Sequence, residues 1–225
     1  MKENICTIPI NDIFRDKDGC PFCRMYGMLE ERYVDFITGS AMMNPDVRIV
    51  TNEKGFCNHH FNMMYDLGRK LPNALLLQTH LIKIIDDCLP KKCGSKPDKK
   101  QLQKAEQLLS SCYVCDKIEA DMIHLLATVF DSWQKDSKFA ELYKSQEYVC
   151  LRHYVFVMKA ATGKGGLSSK FLPSFYEATS ALCKNQAQLL EDDITHFCNM
   201  FDYRNKDGDF KNSKTAIIRS IDFLK

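Results

Sequence analysis

The sequence predicts an all-α protein built from two related zinc-clamped helical units with a C-terminal helical extension. Three observations carry this. Apolar residues recur at helical spacing, as in Ile118, Met122, Leu125, Leu126, Val129, Phe130 and Trp133. No convincing strand alternation separates such segments. A cysteine pattern also returns. Cys20-Pro21-Phe22-Cys23 is matched 92 residues later by Cys112-Tyr113-Val114-Cys115, and Cys57-Asn58-His59-His60 is matched 93 residues later by Cys150-Leu151-Arg152-His153. A repeat this regular marks a duplicated structural unit.

Taken in order, residues 1–19 read as an extended lead-in, with weak alternation from Ile5 to Ile10. A helix starts at Pro21, because proline suits a first helical turn. Met25, Met28, Leu29, Tyr33, Phe36 and Ile37 continue it to a stop near Gly39-Ser40. Asn44-Pro45 reads as a turn and Asn52 to Gly55 as a loop. Cys57 opens a second helix with Phe61, Met64 and Tyr65, closed or kinked by Gly68 and Pro72. A third runs from about Asn73 to Leu89. Pro90 to Lys100 holds proline, glycine, serine and five lysines, and reads as an exposed linker between a first unit (1–90) and a second (101–203). The plan then restarts. A short helix from about Asp98 leads to Cys112, the long amphipathic helix follows, and another runs from Cys150 to about Ala161. After a Gly/Ser loop at Gly163 to Ser169, a long helix spans about Pro173 to Tyr203. Leu71-Pro72 and Leu172-Pro173 echo each other after the two Cys-x-x-His motifs. Residues 204–225 form a tail, with a polar turn at Asn205 to Asp209 and a final helix from about Ser213 to Leu224.

The bulk numbers exclude several classes. Over 225 residues, 45% hydrophobic and 27% charged content is ordinary for a soluble globular chain. A net charge of +2 gives no reason to expect nucleic acid as the main partner. The longest apolar run, around Leu75 to Ile85, is broken by Gln78, Thr79, His80 and Lys83, so no membrane span is expected. The first residues lack the features of a signal peptide, which points to the cytosol. Eleven cysteines, an odd number without a secretion signal, argue for metal ligands rather than a disulfide framework.

Three thiols and one imidazole are the ligand inventory of a closed tetrahedral zinc site. Cys and His three positions apart on a helix share a face. A helix N-terminus lowers the thiol pKa and offsets the charge of a zinc–thiolate centre. Taken in sequence order, the first set is Cys20, Cys23, Cys57 and His60, and the second is Cys112, Cys115, Cys150 and His153. His60 is preferred to His59 because it aligns with His153, whereas His59 aligns with Arg152. Zinc is the expected ion, one per unit. An iron–sulfur cluster with Cys3His ligation and metal-free thiols are the alternatives. Four filled positions leave no place for water or substrate, so each site reads as a clamp that couples folding to metal. Cys6, Cys88, Cys93, Cys183 and Cys198 show no partner spacing and read as small buried apolar residues.

No catalytic constellation stands out. Asp121-x-x-His124 falls on a polar stripe with Lys117, Thr128, Asp131 and Lys135. Asp193-x-x-His196 lacks the glutamates of a di-iron set. Gly163-Lys164-Gly165-Gly166 resembles a phosphate loop in composition only. The expected function is therefore non-enzymatic, with structural metal sites, acting on a protein partner or by self-association. Two alternatives stay open. One is a thiolate- or metal-based redox protein, sensor or store. The other is an enzyme with a pocket between the units that uses Asp193, His196 or Arg204.

Several separated motifs fit one pattern: Ile8-Pro9-Ile10-Asn11-Asp12, Cys20-Pro21-Phe22-Cys23-Arg24, Met42-Met43-Asn44-Pro45-Asp46-Val47-Arg48, and Asn52-Glu53-Lys54-Gly55-Phe56-Cys57 with His60. Phe201-Asp202-Tyr203-Arg204-Asn205 and Asn212-Ser213-Lys214 complete it. Over nearly its full length the chain resembles a bacterial family, found largely in anaerobes, known as a domain of unknown function. The resemblance implies that both Cys-x-x-Cys/Cys-x-x-His sets are family features, and it implies no activity. Tyr113 stands where the first repeat has Pro21, a departure that leaves the ligands intact. Asp202, Tyr203 and Arg204 are expected to cap the long helix and anchor the last one.

Overall fold

The computed structural model describes residues 8–205 and 208–224. Among them the protein is all-α, with helices joined by 3-10 turns and loops and no strand. The helices are α1 (Ile8–Arg15), α2 (Pro21–Thr38), α3 (Pro45–Lys54), α4 (Asn58–Asp66), α5 (Lys70–Asp87) and α6 (Lys99–Leu109). They continue with α7 (Tyr113–Lys135), α8 (Ser137–Lys144), α9 (Leu151–Thr162), α10 (Leu172–Asn199) and α11 (Ala216–Leu224). The chain divides into two compact units. The first is Met1–Met25 with Ile123–Lys225, and the second is Tyr26–Met122. Helices α2 and α7 each start in one unit and finish in the other. The Pro90 to Lys100 stretch is exposed, as the sequence suggests, but it lies inside the second unit.

Three helices stand where the sequence pointed elsewhere. Residues 8–15 are helical rather than extended. Ile10, Asn11 and Phe14 are buried together on one face of α1, and Pro9 sits in the first turn, where its missing N–H has no helical partner to lose. The rest of the expected lead-in alternation, with Ile5 and Cys6, lies outside the described residues. Asn44-Pro45 is the start of α3. The Asn44 side chain accepts the Asp46 N–H at 2.9 Å, and Pro45 follows at the first helical position. Only Thr51 of α3 is buried, so the helix carries almost no apolar stripe to announce it. Helix α8 begins at an Asp136 cap that accepts the Lys138 N–H at 3.0 Å, and it buries Phe139 and Tyr143 one turn apart.

The first unit is centred on aromatic side chains. Tyr143 is fully buried, with ring centroids 5.5 Å from Phe14, 5.1 Å from Phe175 and 5.4 Å from Trp133. Its hydroxyl shares a 2.9 Å hydrogen bond with Thr179, which satisfies that buried polar group. The C-terminal segment is pinned by polar contacts to α10. Arg219 donates to Asp193 at 2.6 Å, His196 Nε2 meets the Asp209 carbonyl at 2.9 Å, and Asn205 donates to the Asn199 carbonyl at 2.8 Å. Asp202 accepts from the Arg204 backbone N–H and its guanidinium. Asp202 and Arg204 thus bond to each other and Tyr203 is exposed, so the anchoring falls to Arg219, His196 and Asn205 rather than to the expected three residues. The Gly163 to Gly166 loop is a helix ending: the Leu167 N–H closes on the Ala161 carbonyl at 2.9 Å, and a Cβ on Gly166 would lie 2.2 Å from that oxygen.

The second unit buries Leu29, Val34 and Ile37 of α2, Met64 of α4, Leu76 of α5, and Ile118 and Met122 of α7. Tyr33 of α2 donates to Asp121 of α7 at 2.6 Å. Burial beside that carboxylate raises the Tyr33 phenol to about 12. Gly55 ends α3 with φ of 64°, and a Cβ there would stand 2.5 Å from the His80 ring. Left-handed backbone strain and a clash with a packed ring add together. Gly55→Ala is therefore expected to destabilise the second unit by about 2–4 kcal/mol, read as a lower urea midpoint with unchanged slope.

Candidate metal centres

Both Cys-x-x-Cys motifs sit where a loop becomes a helix. The Cys20 carbonyl accepts the N–H groups of Cys23 (3.1 Å) and Arg24 (3.3 Å) as α2 begins, and the Cys112 carbonyl accepts the Asp116 N–H (3.1 Å) as α7 begins. Cys57 and Cys150 are the N-caps of α4 and α9, with nearly identical backbones (φ −71°, ψ 164° and φ −69°, ψ 159°). One helical turn later come His60 and His153, both buried. The repeat therefore holds at the level of local conformation.

The eight predicted residues gather into two clusters, but not in sequence order. One cluster is Cys20, Cys23, Cys150 and His153, all in the first unit. The other is Cys57, His60, Cys112 and Cys115, all in the second. Each Cys-x-x-Cys is thus completed by the Cys-x-x-His of the other repeat, which corrects the expected pairing. The exchange goes with a long outgoing helix in each repeat. At about 1.5 Å per residue, α2 advances roughly 27 Å, and the only α-helix between it and Cys57 is α3, at roughly 15 Å. Helix α7 advances roughly 34 Å and is followed by α8 at roughly 12 Å. In each repeat the outgoing helix is far longer than the helical segment that could lead the chain back to its own cysteine pair.

In the first cluster His153 Nδ1 stands 3.1 Å from Cys150 Sγ, 3.3 Å from Cys23 Sγ and 3.9 Å from Cys20 Sγ, and the Cys23 and Cys150 sulfurs are 3.6 Å apart. In the second, His60 Nδ1 stands 3.1 Å from Cys57 Sγ, 3.3 Å from Cys112 Sγ and 3.5 Å from Cys115 Sγ, with Cys57 and Cys115 4.0 Å apart. Four soft or borderline donors converge on one point in each. The Cys150 thiol is held far below its usual range by hydrogen bonds from Cys20, Cys23 and His153, whereas burial pushes Cys20 up. Burial likewise raises Cys115. Three thiols this close, with two or more desolvated, suit an ion that takes the place of their protons.

Two supporting residues carry no signal of their own in the sequence. Glu30, on α2, accepts from His60 Nε2 at 3.1 Å and also meets exposed His59 at 3.0 Å. A carboxylate on Nε2–H fixes the His60 tautomer that turns Nδ1 toward the sulfurs. Replacing Glu30 by alanine is expected to weaken metal binding at the second cluster about 10–100-fold and to leave the first unchanged. Competition with a chromophoric chelator would resolve the two affinities. Arg24, next to Cys23, donates to the carbonyls of Ile13 (2.8 Å), Asp16, Asp18 and Gly19 (3.2 Å), and to Gln146 Oε1 (3.1 Å). Its guanidinium gathers the loop that delivers Cys20. Nothing in the sequence ties Glu30 to His60, because the two stand on different helices, α2 and α4.

These two clusters sit in a chain that the family comparison places. The chain belongs to a family of unknown function, DUF6062. A model of that family matches residues 1–225. No curated protein and no solved structure matches the chain.

The remaining candidates find other uses or none. Cys88 and Cys183 are buried, as expected of small apolar residues, whereas Cys93 and Cys198 are exposed. His124 lies on the exposed face of α7. Asp193, His196 and Arg204 are engaged by Arg219, Asp209 and Asp202, as described above. Among the described residues no helix is long and apolar enough to cross a membrane.

Proposed function

We propose that the chain is a zinc-stabilised helical protein whose two Cys3His centres are structural and which works through contact with another protein chain. The observation that carries this is the donor geometry. A zinc ion with bonds of about 2.3 Å to sulfur and about 2.0 Å to nitrogen sets tetrahedral edges of roughly 3.5–3.8 Å, and donor separations of 3.1–4.0 Å bracket that value in both clusters. All four donors of each set lie within 4.8 Å of one another. A polynuclear iron–sulfur cluster distributes its ligands over several irons and spreads them further, so the spacing supports a single ion. Four protein ligands leave no open coordination position, which supports a structural over a catalytic role. Zinc thiolates of this kind suit a reducing compartment such as the cytosol.

The test is metal content after anaerobic purification. Two zinc ions per chain and a colourless protein are expected. Visible absorbance, or less than one zinc per chain with the fold intact, would sink the reading. A second reading, a thiolate-based redox or metal-responsive protein, is favoured by one feature: Cys57 and Cys115 are only half-buried, with sulfurs 4.0 Å apart. Reversible peroxide oxidation of that pair with release of one zinc would support it. Thiols that resist oxidation in the loaded protein would remove it.

A further inference from the structure

Glu30 carries a negative charge beside the second cluster with no cationic side chain to answer it. Its side chain is only 14% exposed, and among the described residues its ion-pair contacts are the two histidine rings of α4, with no lysine or arginine. His60 meets it through Nε2 at 3.1 Å and turns Nδ1 to the sulfurs. Loading the cluster adds to the imbalance, because three thiolates and one divalent ion leave that centre with a net negative charge. Two like charges this close, one of them mostly out of water, favour a cation beside the carboxylate.

His59 supplies the second donor. Neighbouring positions on a helix point about 100° apart, yet the rings of His59 and His60 both turn to one oxygen, Oε1 of Glu30, at 3.0 and 3.1 Å. The donor atoms of Glu30, His59 and His60 all lie within 4.8 Å of one another. An ion bound by imidazole and carboxylate sets those two donors roughly 2.9–3.4 Å apart, from right-angled to tetrahedral geometry, and the His59–Glu30 separation falls in that range. The His59 side chain is 64% exposed, so the place is open to water. The first cluster has no counterpart. By the repeat, Arg152 stands at the His59 position and Met122 at the Glu30 position, and among the described residues no further donor group gathers beside that cluster.

The geometry points to a third metal site in the loaded protein, a divalent ion held by His59 Nε2 and a Glu30 carboxylate oxygen, with water in its remaining positions. His60 is not counted among its ligands, because Nδ1 serves the sulfurs and Nε2 serves Glu30. Imidazole with carboxylate selects a borderline ion such as zinc, cobalt or nickel over magnesium or calcium. An ion with open positions exchanges with solvent, while the two closed centres hold theirs. Because Glu30 also orients His60, the third site touches the second centre and not the first.

The inference rests on reading the two Cys3His sets as metal centres, and cobalt tells the two apart. The full chain, titrated anaerobically with cobalt, should take up three ions. The first two bring sulfur-to-cobalt charge-transfer absorption. The third adds none, because its protein donors are nitrogen and oxygen. His59→Ala should weaken the third ion at least about tenfold and leave the sulfur absorption of the first two unchanged. His124→Ala, on the exposed face of α7, should change neither. Magnesium in large excess should not displace the third ion. Uptake that stops at two sulfur-bound ions overturns the third site and leaves the closed centres standing. A third ion that survives His59→Ala, or that adds sulfur absorption, lies elsewhere and overturns the assignment. Absence of sulfur absorption from the first ion onward overturns the metal reading and this inference with it.

Discussion

Replacing Cys20 and Cys150 together by serine is expected to remove one zinc per chain, whereas replacing Cys20 and Cys57 together removes both. The expectation follows from the exchanged clusters. Cys20 and Cys150 belong to one set and Cys57 to the other, so the first pair of changes damages a single site twice. A serine hydroxyl stays protonated where a thiolate would bind, and a structural zinc worth about 10–16 kcal/mol of apparent binding depends on each charged ligand. Pairing in sequence order predicts the opposite outcome, because it puts Cys20 and Cys57 on the same ion. Zinc per chain, measured on the two double variants side by side, decides between the arrangements. One zinc in Cys20→Ser/Cys57→Ser and none in Cys20→Ser/Cys150→Ser would overturn the geometry described here. The consequence for unit integrity is also asymmetric. The Cys20/Cys150 variant should spare the second unit, where Met64, Ile118 and Met122 are buried beside an intact cluster.

That exchange shows where sequence reading ends. All eight cluster positions are visible, because the motif spacing repeats within a single residue and because a Cys at a helix start with His one turn later is a local geometry. Which motif meets which is a matter of where long helices deliver the chain. The two pairings use identical residue types, so composition and spacing cannot separate them. The folded backbone does. The helices of strong amphipathic period, α2, α7 and α10, were legible for the same local reason. Helices α3 and α8 were not. Each is short and capped by a single side chain, Asn44 or Asp136, and α3 buries little but Thr51. Helix α1 hid behind Pro9, which reads as extended unless one sees that it occupies a first turn. Glu30 and Arg24 were invisible as supporting residues for a different reason. A carboxylate or a guanidinium on a helix is common, and only the folded backbone shows that one meets His60 and the other gathers the carbonyls ahead of Cys20.

Removing the metal should unfold the second unit outright and loosen the first. A domain of this size retains about 5–15 kcal/mol of net stability, and the apparent contribution of a structural zinc is about 10–16 kcal/mol, so a unit that depends on its ion has little left without it. The units differ in what else holds them. The first keeps the buried ring cluster of Phe14, Trp133, Tyr143 and Phe175. The second buries mainly aliphatic and methionine side chains, and leaves the outer stripe of α5 uncovered within one chain. Trp133 is the only tryptophan, and it belongs to the first unit, so its fluorescence reports that unit alone, while far-ultraviolet circular dichroism reports both. On addition of a strong chelator under reducing conditions, helicity should fall by roughly half while Trp133 emission shifts little, and emission should shift red only on further heating. Readdition of zinc should restore the lost helicity. Chelated protein with unchanged helicity and an unchanged melting curve would show that the thiols are not metal ligands on which the fold depends. Simultaneous loss of both signals would instead show that the aromatic core of the first unit is as dependent on Cys20, Cys23, Cys150 and His153 as the second unit is on its own four ligands.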